Sequence, residues 1–232
     1  MTGFIRAPGL VPLTPVRLRP AQRTVAHMAA SVLLDYPTPQ RLASHGTVRV
    51  ATATLPGPVR ERLWGFLDTA AELGEDALAR HYVETFDLKR KCSMYLSYFL
   101  TGDTRKRGTA LVRFVEAYRA AGWELDRDEL PDFLPTVLEF SARGDPQIAA
   151  GLLGSHRQGI EVLRSALTGV GSPYAAVVEA VCLTLPPVSD EVRDRYLELI
   201  TSGPPSEMVG LNALGPLEPF APGGTNDREV RP

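Results

Sequence analysis

The sequence predicts an all-α protein, a single-domain helical bundle with a flexible tail at each end. Apolar residues recur at helical spacing in successive segments between residues 23 and 200. Glycines and prolines separate these segments where helices would end. At 232 residues the chain is long enough to bury the core of one domain. We expect a flexible arm over residues 1–22, a helical domain over residues 23–202 and a Gly/Pro-rich tail over residues 203–232.

The composition favours a soluble, cytoplasmic protein. Hydrophobic residues make up 44% of the chain and charged residues 22%, which is ordinary for a globular domain. A net charge of −2 gives no field that would gather nucleic acid or an anionic membrane. No secretory signal or spanning helix is expected, because prolines and arginines interrupt the N-terminal segment. Cys92 and Cys182 lie far apart, which favours a reducing compartment or simple core packing over a disulfide scaffold.

The start of the domain contains one clear helix and one ambiguous segment. A helix over residues 23–34 should end at Asp35-Tyr36-Pro37, because a proline disfavours the helical conformation of the residue before it. Residues 38–58 could include a strand at residues 48–52. We favour an irregular or partly helical connection, since a lone strand among helices would have no partner.

The remaining elements are predicted to be helices. Residues 94–100 are apolar nearly all round, which is typical of a helix at the centre of a bundle, and Ser93 could cap it. The next helix should begin at Asp103 or Thr104 and end at Gly122. The other predicted helices cover residues 59–73 before Gly74, 76–86, a segment that starts near Pro135, 147–167, 173–185 and 190–200.

Three motifs between residues 81 and 140 are the most specific features of the chain. They are YVETFD at residues 82–87, GDTRKRG at residues 102–108 and ELPDFLP at residues 129–135. In this order and spacing they resemble the delta-subunit, or NarJ-type, chaperones of respiratory nitrate reductase. That family belongs to the TorD-like chaperones of molybdenum enzymes, which are all-helical. A helix end of the family's Leu-Tyr-Pro-like type, matched at residues 34–37, extends the resemblance towards the N terminus.

The resemblance implies a cytoplasmic assembly chaperone that is not an enzyme and has no cofactor of its own. Its partner would be the apo form of the catalytic alpha subunit of nitrate reductase, bound through its N-terminal segment. The client would stay competent for insertion of molybdenum cofactor and iron–sulfur clusters before membrane assembly. Proteins of molybdenum cofactor biosynthesis would be further partners, and the membrane would be met only through the client complex. The alternatives are a chaperone for another molybdenum oxidoreductase and, in a different class, a metal-dependent helical enzyme.

The implied site is an apolar groove between helices, lined by aromatic and acidic side chains. Aromatic side chains anchor such interfaces because they bury a large area at a low cost in conformational entropy. Carboxylates would select and orient a basic peptide. Glu84 and Phe86 also fall on a signature of the family, although Phe86 could equally be a core residue. The candidate client-binding residues are Tyr82, Glu84, Phe86, Asp87, Tyr95, Tyr98, Phe99, Asp132, Phe133 and Glu139.

Asp132 allows two interpretations. It could cap the helix that follows Pro131, or it could accept a hydrogen bond from a donor group on a bound peptide. Many relatives carry His where this chain has Phe133, so we expect no imidazole to perform proton chemistry at this position.

The sequence gives little support for a metal site or for catalytic residues. His81, Glu84 and Asp87 could share one helix face, but a carboxylate-bridged bundle site needs a second Glu-x-x-His pair. The nucleophile motif Gly-x-Ser-x-Gly is absent. The basic runs at residues 89–91 and 105–107 lack a glycine-rich phosphate loop, so a bound anion is a weak hypothesis. We therefore expect no metal site and no catalytic residues.

Overall fold

The computed structural model describes residues 13–102, 105–125 and 129–185, and within these ranges the chain is an all-α bundle without a strand. The predicted fold class is therefore confirmed. The helices are α1 Pro20–Leu34, α2 Pro39–Ala43, α3 His45–Thr52, α4 Gly57–Leu73, α5 Glu75–Tyr82, α6 Tyr98–Thr101, α7 Lys106–Ala120, α8 Leu134–Arg143, α9 Pro146–Ser155, α10 Arg157–Gly169 and α11 Tyr174–Thr184. A π-helical turn at Val83–Asp87 and a 3-10 turn at Arg90–Cys92 lie between α5 and α6.

Helix α1 is the central element of the bundle. It packs most extensively on α8 and α11, and α11 packs in turn on α4. Two buried polar side chains fix these contacts. Ser31 donates to the Pro135 carbonyl at 2.7 Å, and His27 lies 2.7 Å from both the Ser141 and Thr184 hydroxyls. Because each polar group has a partner, it sets the register of the helices without the penalty of an unpaired buried group.

Several helix ends follow the predicted punctuation. Helix α1 stops at Leu34, immediately before Asp35-Tyr36-Pro37. Gly74 and Gly122, which follow α4 and α7, have φ angles of 75° and 67° that favour glycine. Residues 38–58 contain α2 and α3, so the preferred, partly helical interpretation is confirmed and the alternative strand is not formed.

The predicted helix over residues 94–100 is wrong in its first half. Residues 94–97 are non-helical, and only Tyr98–Thr101 forms a helical turn. The Leu96 N–H donates to the Asp132 carbonyl at 3.0 Å, and the Leu134 N–H donates to the Met94 carbonyl at 2.9 Å. These bonds to a distant segment replace the helical ones, so tertiary contacts override the apolar pattern.

The predicted helix over residues 147–167 is also wrong, because it is divided into α9 and α10 at His156. The His156 Nδ1 atom and the Ser155 hydroxyl lie 2.8 and 3.1 Å from the Leu152 carbonyl. Side chains that compete for a helical carbonyl favour a break at that point. The break turns α10 into the interior, where Ile160, Leu163 and Leu167 are buried.

The structure describes only part of the predicted N-terminal arm and none of the predicted C-terminal tail. Residues 13–19 pack on the core through Leu13, Val16 and Leu18, and the Val16 N–H donates to the Leu183 carbonyl at 2.8 Å. The described residues do not include residues 1–12 of the predicted arm, the predicted cap at Asp103 or Thr104, the helix over residues 190–200 or the tail over residues 203–232. None of the helices in the described ranges combines the length and apolarity that a membrane crossing requires.

Candidate client-binding surface

The first motif forms a π-helical turn, which we call the π turn, at residues Val83–Asp87. The predicted helix over residues 76–86 is accordingly α-helical only as far as Tyr82. A π turn accommodates one extra residue within a helix and is found frequently at functional sites. Here the wider turn buries the Thr85 side chain and leaves Glu84 and Asp87 exposed.

An aromatic cluster lies beneath the π turn. The rings of Tyr82 and Phe86 are 4.7 Å apart, and they lie 5.7 and 5.0 Å from the ring of Tyr174 at the start of α11. Tyr36, in the connection after α1, packs edge-on against Tyr82 at 5.3 Å. Edge-to-face contacts of this kind stabilise beyond the area they bury. The π turn is therefore supported by the core and by three different helix ends.

His81 joins the π turn to the segment before α11. Its Nε2 atom lies 2.8 Å from the Ser172 hydroxyl and 3.3 Å from the Thr85 hydroxyl, and its ring stacks on Tyr174. Burial lowers the pKa of His81, while the Glu84 carboxylate acts in the opposite direction. The imidazole thus serves in hydrogen bonding within the protein. Within the described ranges, no group of three or more His, Cys, Asp or Glu side chains is arranged to hold a metal ion.

The outer face of the π turn combines apolar and acidic groups. Val83 is 36% exposed, and Leu88, directly after the turn, is 72% exposed. Glu84 and Asp87 form no ion pair with any described residue. The Lys89 ammonium group folds back and donates to the Glu84 backbone carbonyl at 2.5 Å. This face can therefore offer apolar contact and unpaired negative charge to a binding partner.

The third motif has a buried structural role in this conformation. Asp132 is 0% exposed, and its Oδ2 atom accepts hydrogen bonds from the Ser97 N–H at 3.0 Å and the Ser97 hydroxyl at 2.6 Å. The N-cap of α8 is Phe133, which makes no side-chain capping bond. The interpretation of Asp132 as the cap of α8 is therefore wrong. Its carboxylate accepts hydrogen bonds from Ser97 instead and so holds the non-helical 94–97 segment.

Tyr95 and Phe133 face each other across the same junction. Their rings are 5.5 Å apart, and the Arg107 guanidinium lies 5.3 Å from the centre of the Tyr95 ring. The Tyr95 hydroxyl donates to Glu129 at 3.0 Å. Burial, followed by this hydrogen bond, raises the pKa of Tyr95 to about 12. The half-buried Tyr95 ring is accessible from outside, whereas Phe133 is almost completely covered.

The remaining predicted residues, Phe99, Tyr98 and Glu139, differ in their burial and in their contacts. Phe99 is a core residue that packs against Gly159 of α10, where an added Cβ would lie 2.9 Å from its ring. Tyr98 is half-buried and contacts Phe99 edge-on at 5.7 Å. Glu139 forms an ion pair with Arg143 along α8, with a distance of 2.8 Å. The predicted set thus contains surface groups, supporting core groups and one fully buried carboxylate.

The structure also contains a cavity that the sequence did not indicate. It has a volume of about 330 Å³ and opens between α2–α3 and the junction of α4 with α5. Its lining includes His45, Gly46, Leu67, Ala70 and Glu75, and none of the ten predicted residues. A cavity formed by residues from separate segments leaves no local sequence signal.

A sequence profile of the family described as "Nitrate reductase delta subunit" matches residues 52–179, which is more than half of the chain. This chain belongs to the nitrate reductase delta subunit family. The predicted resemblance to NarJ-type chaperones is thereby confirmed. All three motifs lie within the matched region, and so do the π turn and the 94–97 segment.

Individual relatives agree with this assignment to the delta subunit family. The chain is 32% identical over 164 residues to NarJ of Bacillus subtilis, described as a nitrate reductase molybdenum cofactor assembly chaperone, covering 70% of this chain and 89% of NarJ. It is 40% identical over 160 residues to the nitrate reductase-like protein NarX of Mycobacterium tuberculosis, covering 69% of this chain. The chain spans only 24% of the length of NarX.

A solved structure shares the fold of this delta-subunit family member. It is that of a candidate redox enzyme maturation protein from Archaeoglobus fulgidus, with a TM-score of 0.51 and 20% sequence identity. The match covers 71% of this chain and 93% of that protein. At this identity the likeness concerns the helical architecture alone.

Two aromatic residues of the cluster were not among the predicted site residues. Tyr36 belongs to the predicted helix end at residues 35–37, and Tyr174 to the predicted helix over residues 173–185. Their position next to Tyr82 follows from the packing of α1 and α11, which sequence periodicity does not specify.

Proposed function

We propose that this chain is a cytoplasmic chaperone for the catalytic alpha subunit of respiratory nitrate reductase. It binds the apo form of that subunit through the client's N-terminal segment. Bound client remains competent to receive molybdenum cofactor and iron–sulfur clusters, and the chaperone leaves before the enzyme is complete at the membrane. Membership of the nitrate reductase delta subunit family and the description of NarJ relatives as assembly chaperones support this proposal.

The observation that carries the proposed binding site is the outer face of the π turn. Val83 and Leu88 are exposed beside Glu84 and Asp87, two carboxylates that form no ion pair with the described residues. An amphipathic helix could cover the apolar pair with its own apolar face and place basic side chains against the carboxylates. Electrostatic complementarity of this kind contributes mainly to partner selection and to the association rate.

The aromatic cluster gives this face a rigid support. Tyr82 and Phe86 lie against the buried ring of Tyr174, and the Tyr82 hydroxyl donates to the Leu34 carbonyl at 3.4 Å. A preorganised surface loses little conformational entropy when a partner binds, which increases affinity. Tyr82 and Phe86 would therefore act mostly by holding the π turn in place, with half-buried Phe86 closer to a direct contact than buried Tyr82.

Asp132 would act on the client indirectly. Its carboxylate is fully buried and holds Ser97, so it fixes the 94–97 segment that carries Tyr95. Replacing Asp132 would weaken client binding by loosening this segment. A direct contact with the client would require the buried carboxylate to become accessible.

The chaperone effect follows from mass action. A protein that binds the apo client and not the completed enzyme raises the population of the open, loadable state. Cofactor insertion converts the client to its closed form, which the chaperone does not bind. The chaperone is then released.

Complex formation with apo and cofactor-loaded alpha subunit tests this proposal. Size-exclusion chromatography of the purified full chain with each form should give a complex only with the apo subunit. Alpha-type subunits of other molybdenum oxidoreductases serve as controls, and stronger binding to one of them would assign a different client. Equal binding of apo and loaded subunit, or binding of neither, would contradict the proposed function.

A further inference from the structure

The cavity between α2–α3 and the junction of α4 with α5 is large enough to hold one side chain. Its volume of about 330 Å³ lies at the lower end of the range for small-molecule sites, roughly 300–1,000 Å³. Leu42, Leu67 and Ala70 give it an apolar lining, while Glu75 stands at its edge in the first turn of α5. An apolar lining with a charged group at the edge suits a long side chain with an apolar stem and a charged end.

The charges around the cavity favour a cation. Arg49 also lines it, but its guanidinium forms an ion pair with Asp68 and lies 5.3 Å from the centre of the Trp64 ring. Glu75 has no ion-pair partner among the described residues. The cavity lining therefore contains one carboxylate that forms no ion pair within the described part of the chain.

His45 adds an acceptor rather than a charge. It is half-buried in the cavity lining and packs edge-on against Phe66 at 6.3 Å. Burial lowers the pKa of His45, so its ring is neutral near pH 7. Neither ring nitrogen bonds to another described residue, which leaves a lone pair available to a donor in the cavity.

The cavity and the π turn lie at opposite ends of the same helix. Helix α5 runs from Glu75 to Tyr82, and the π turn begins at the next residue. At 1.5 Å per residue, eight helical residues span roughly 12 Å. A partner helix of about 10–15 residues laid along α5 would reach both places.

We infer that this cavity receives a lysine or arginine side chain of the client's N-terminal helix while the rest of that helix covers the π turn. The inference rests on the proposed function and extends it by giving the client an anchoring residue. The apolar stem contacts Leu67 and Ala70, and the cationic end meets Glu75 and the His45 ring. Residues that fill a pocket at an interface commonly dominate its affinity.

Substitution of Gly46 is a suitable way to fill the cavity. Gly46 lines it from α3, and a Cβ atom built there would meet no atom within 4 Å. The Cβ atom of a leucine at this position would therefore have open space, so we expect its side chain to narrow the cavity. Leucine also favours the helix more than glycine does. Gly65 of α4 provides the matched control, because its Cβ direction is equally open and it does not line the cavity.

The test is calorimetric titration of the full chain with a peptide covering the N-terminal helix of the alpha subunit. We expect Gly46→Leu to weaken binding about tenfold or more and Glu75→Gln about fivefold, with Gly65→Leu unchanged. Replacing basic peptide residues one at a time with norleucine should identify a single position whose effect disappears in the Glu75→Gln background.

The outcomes separate this inference from the proposed function. If the unmodified chain binds the peptide and Gly46→Leu binds equally well, the cavity is not used and the inference is wrong, while the proposed function stands. If Gly46→Leu weakens binding and Glu75→Gln does not, the occupant is apolar and the cationic assignment is wrong. If the unmodified chain binds neither the peptide nor the apo alpha subunit, both fail.

Discussion

The Oδ2 atom of Asp132 accepts hydrogen bonds from both the N–H and the hydroxyl of Ser97, at 3.0 and 2.6 Å. Backbone bonds from Leu96 to Asp132 and from Leu134 to Met94 flank this pair. Asp132 thus joins the segment after the π turn to the start of α8. Its second carboxylate oxygen is buried and has no hydrogen-bond partner among the described residues, so Oδ2 makes both of its side-chain contacts.

Asp132→Ala should lower the free energy of unfolding by about 2–3 kcal/mol, because two donors of Ser97 lose a charged acceptor in the interior. Asp132→Asn retains one acceptor oxygen and should cost less. Urea unfolding of the two variants and the parent measures the difference. An Asp132→Ala variant as stable as the parent would show that the Asp132–Ser97 contact does not hold the junction.

Protonation of His27 should make the protein sensitive to mild acid. Burial, and secondarily the charge of Arg23, lowers the pKa of His27 from 6.5 to about 4. The Thr184 hydroxyl donates to the Val181 carbonyl, so the His27 Nε2 donates to Thr184. In the neutral ring that burial favours, Nδ1 then accepts from the Ser141 hydroxyl.

Because the folded pKa of His27 lies below the unfolded value, the unfolded state binds the proton more readily. The contribution to stability is complete above pH 6.5 and is lost as the pH falls towards 4, by an amount of about 3 kcal/mol. Thermal unfolding between pH 7 and 4 should show a shallower pH dependence for His27→Gln than for the parent. Identical pH profiles would contradict this assignment.

Tyr174 should be needed for its ring and not for its hydroxyl. The side chain is 0% exposed, and the hydroxyl has no hydrogen-bond partner among the described residues. Tyr174→Phe removes an unpaired polar group and should leave stability unchanged or raise it by up to about 1 kcal/mol. Tyr174→Ala removes the support of Phe66 and Phe86 and should cost about 3–5 kcal/mol. A loss of more than about 1 kcal/mol in Tyr174→Phe would show that the hydroxyl is structural.

Among the charged residues of α10, Glu161 should cause the largest loss of unfolding free energy when it is replaced. It is 5% exposed and bonds to Arg157 and Arg164, at 2.6 and 2.8 Å. Glu161→Ala leaves buried guanidinium groups without this partner and should cost about 3–5 kcal/mol. Asp68→Ala breaks the exposed pair with Arg49 and should cost less than about 1 kcal/mol. Chemical denaturation compares the two, and equal losses would contradict the importance of burial.

The sequence predicted the parts of the fold that depend on local chemistry. Pro37, Gly74 and Gly122 mark helix ends because each constrains or permits a particular backbone conformation. The 94–97 segment could not be predicted in this way, since its hydrogen bonds go to residues 132–134. Its apolar composition fits a buried extended segment as well as a helix.

The candidate site was predictable in part for the same reason. The first motif contains Tyr82, Glu84, Phe86 and Asp87, and the structure places these residues at the end of α5 and in the π turn. Contacts between distant elements, such as Tyr82 with Tyr174, and the cavity at His45 depend on how α4, α5 and α11 pack. The sequence of any one of these segments does not indicate how they pack together.

The most direct test of the account is calorimetric titration with a peptide covering roughly the first 15–30 residues of the alpha subunit, the length of one amphipathic helix with its flanks. We expect saturable binding to the full chain. Glu84→Lys should weaken it about tenfold, whereas Glu116→Lys, an equivalent charge reversal at an exposed position of α7, should leave it unchanged. Absence of saturable binding, or equal affinity for the parent and Glu84→Lys, would contradict the claim that the π turn binds this client.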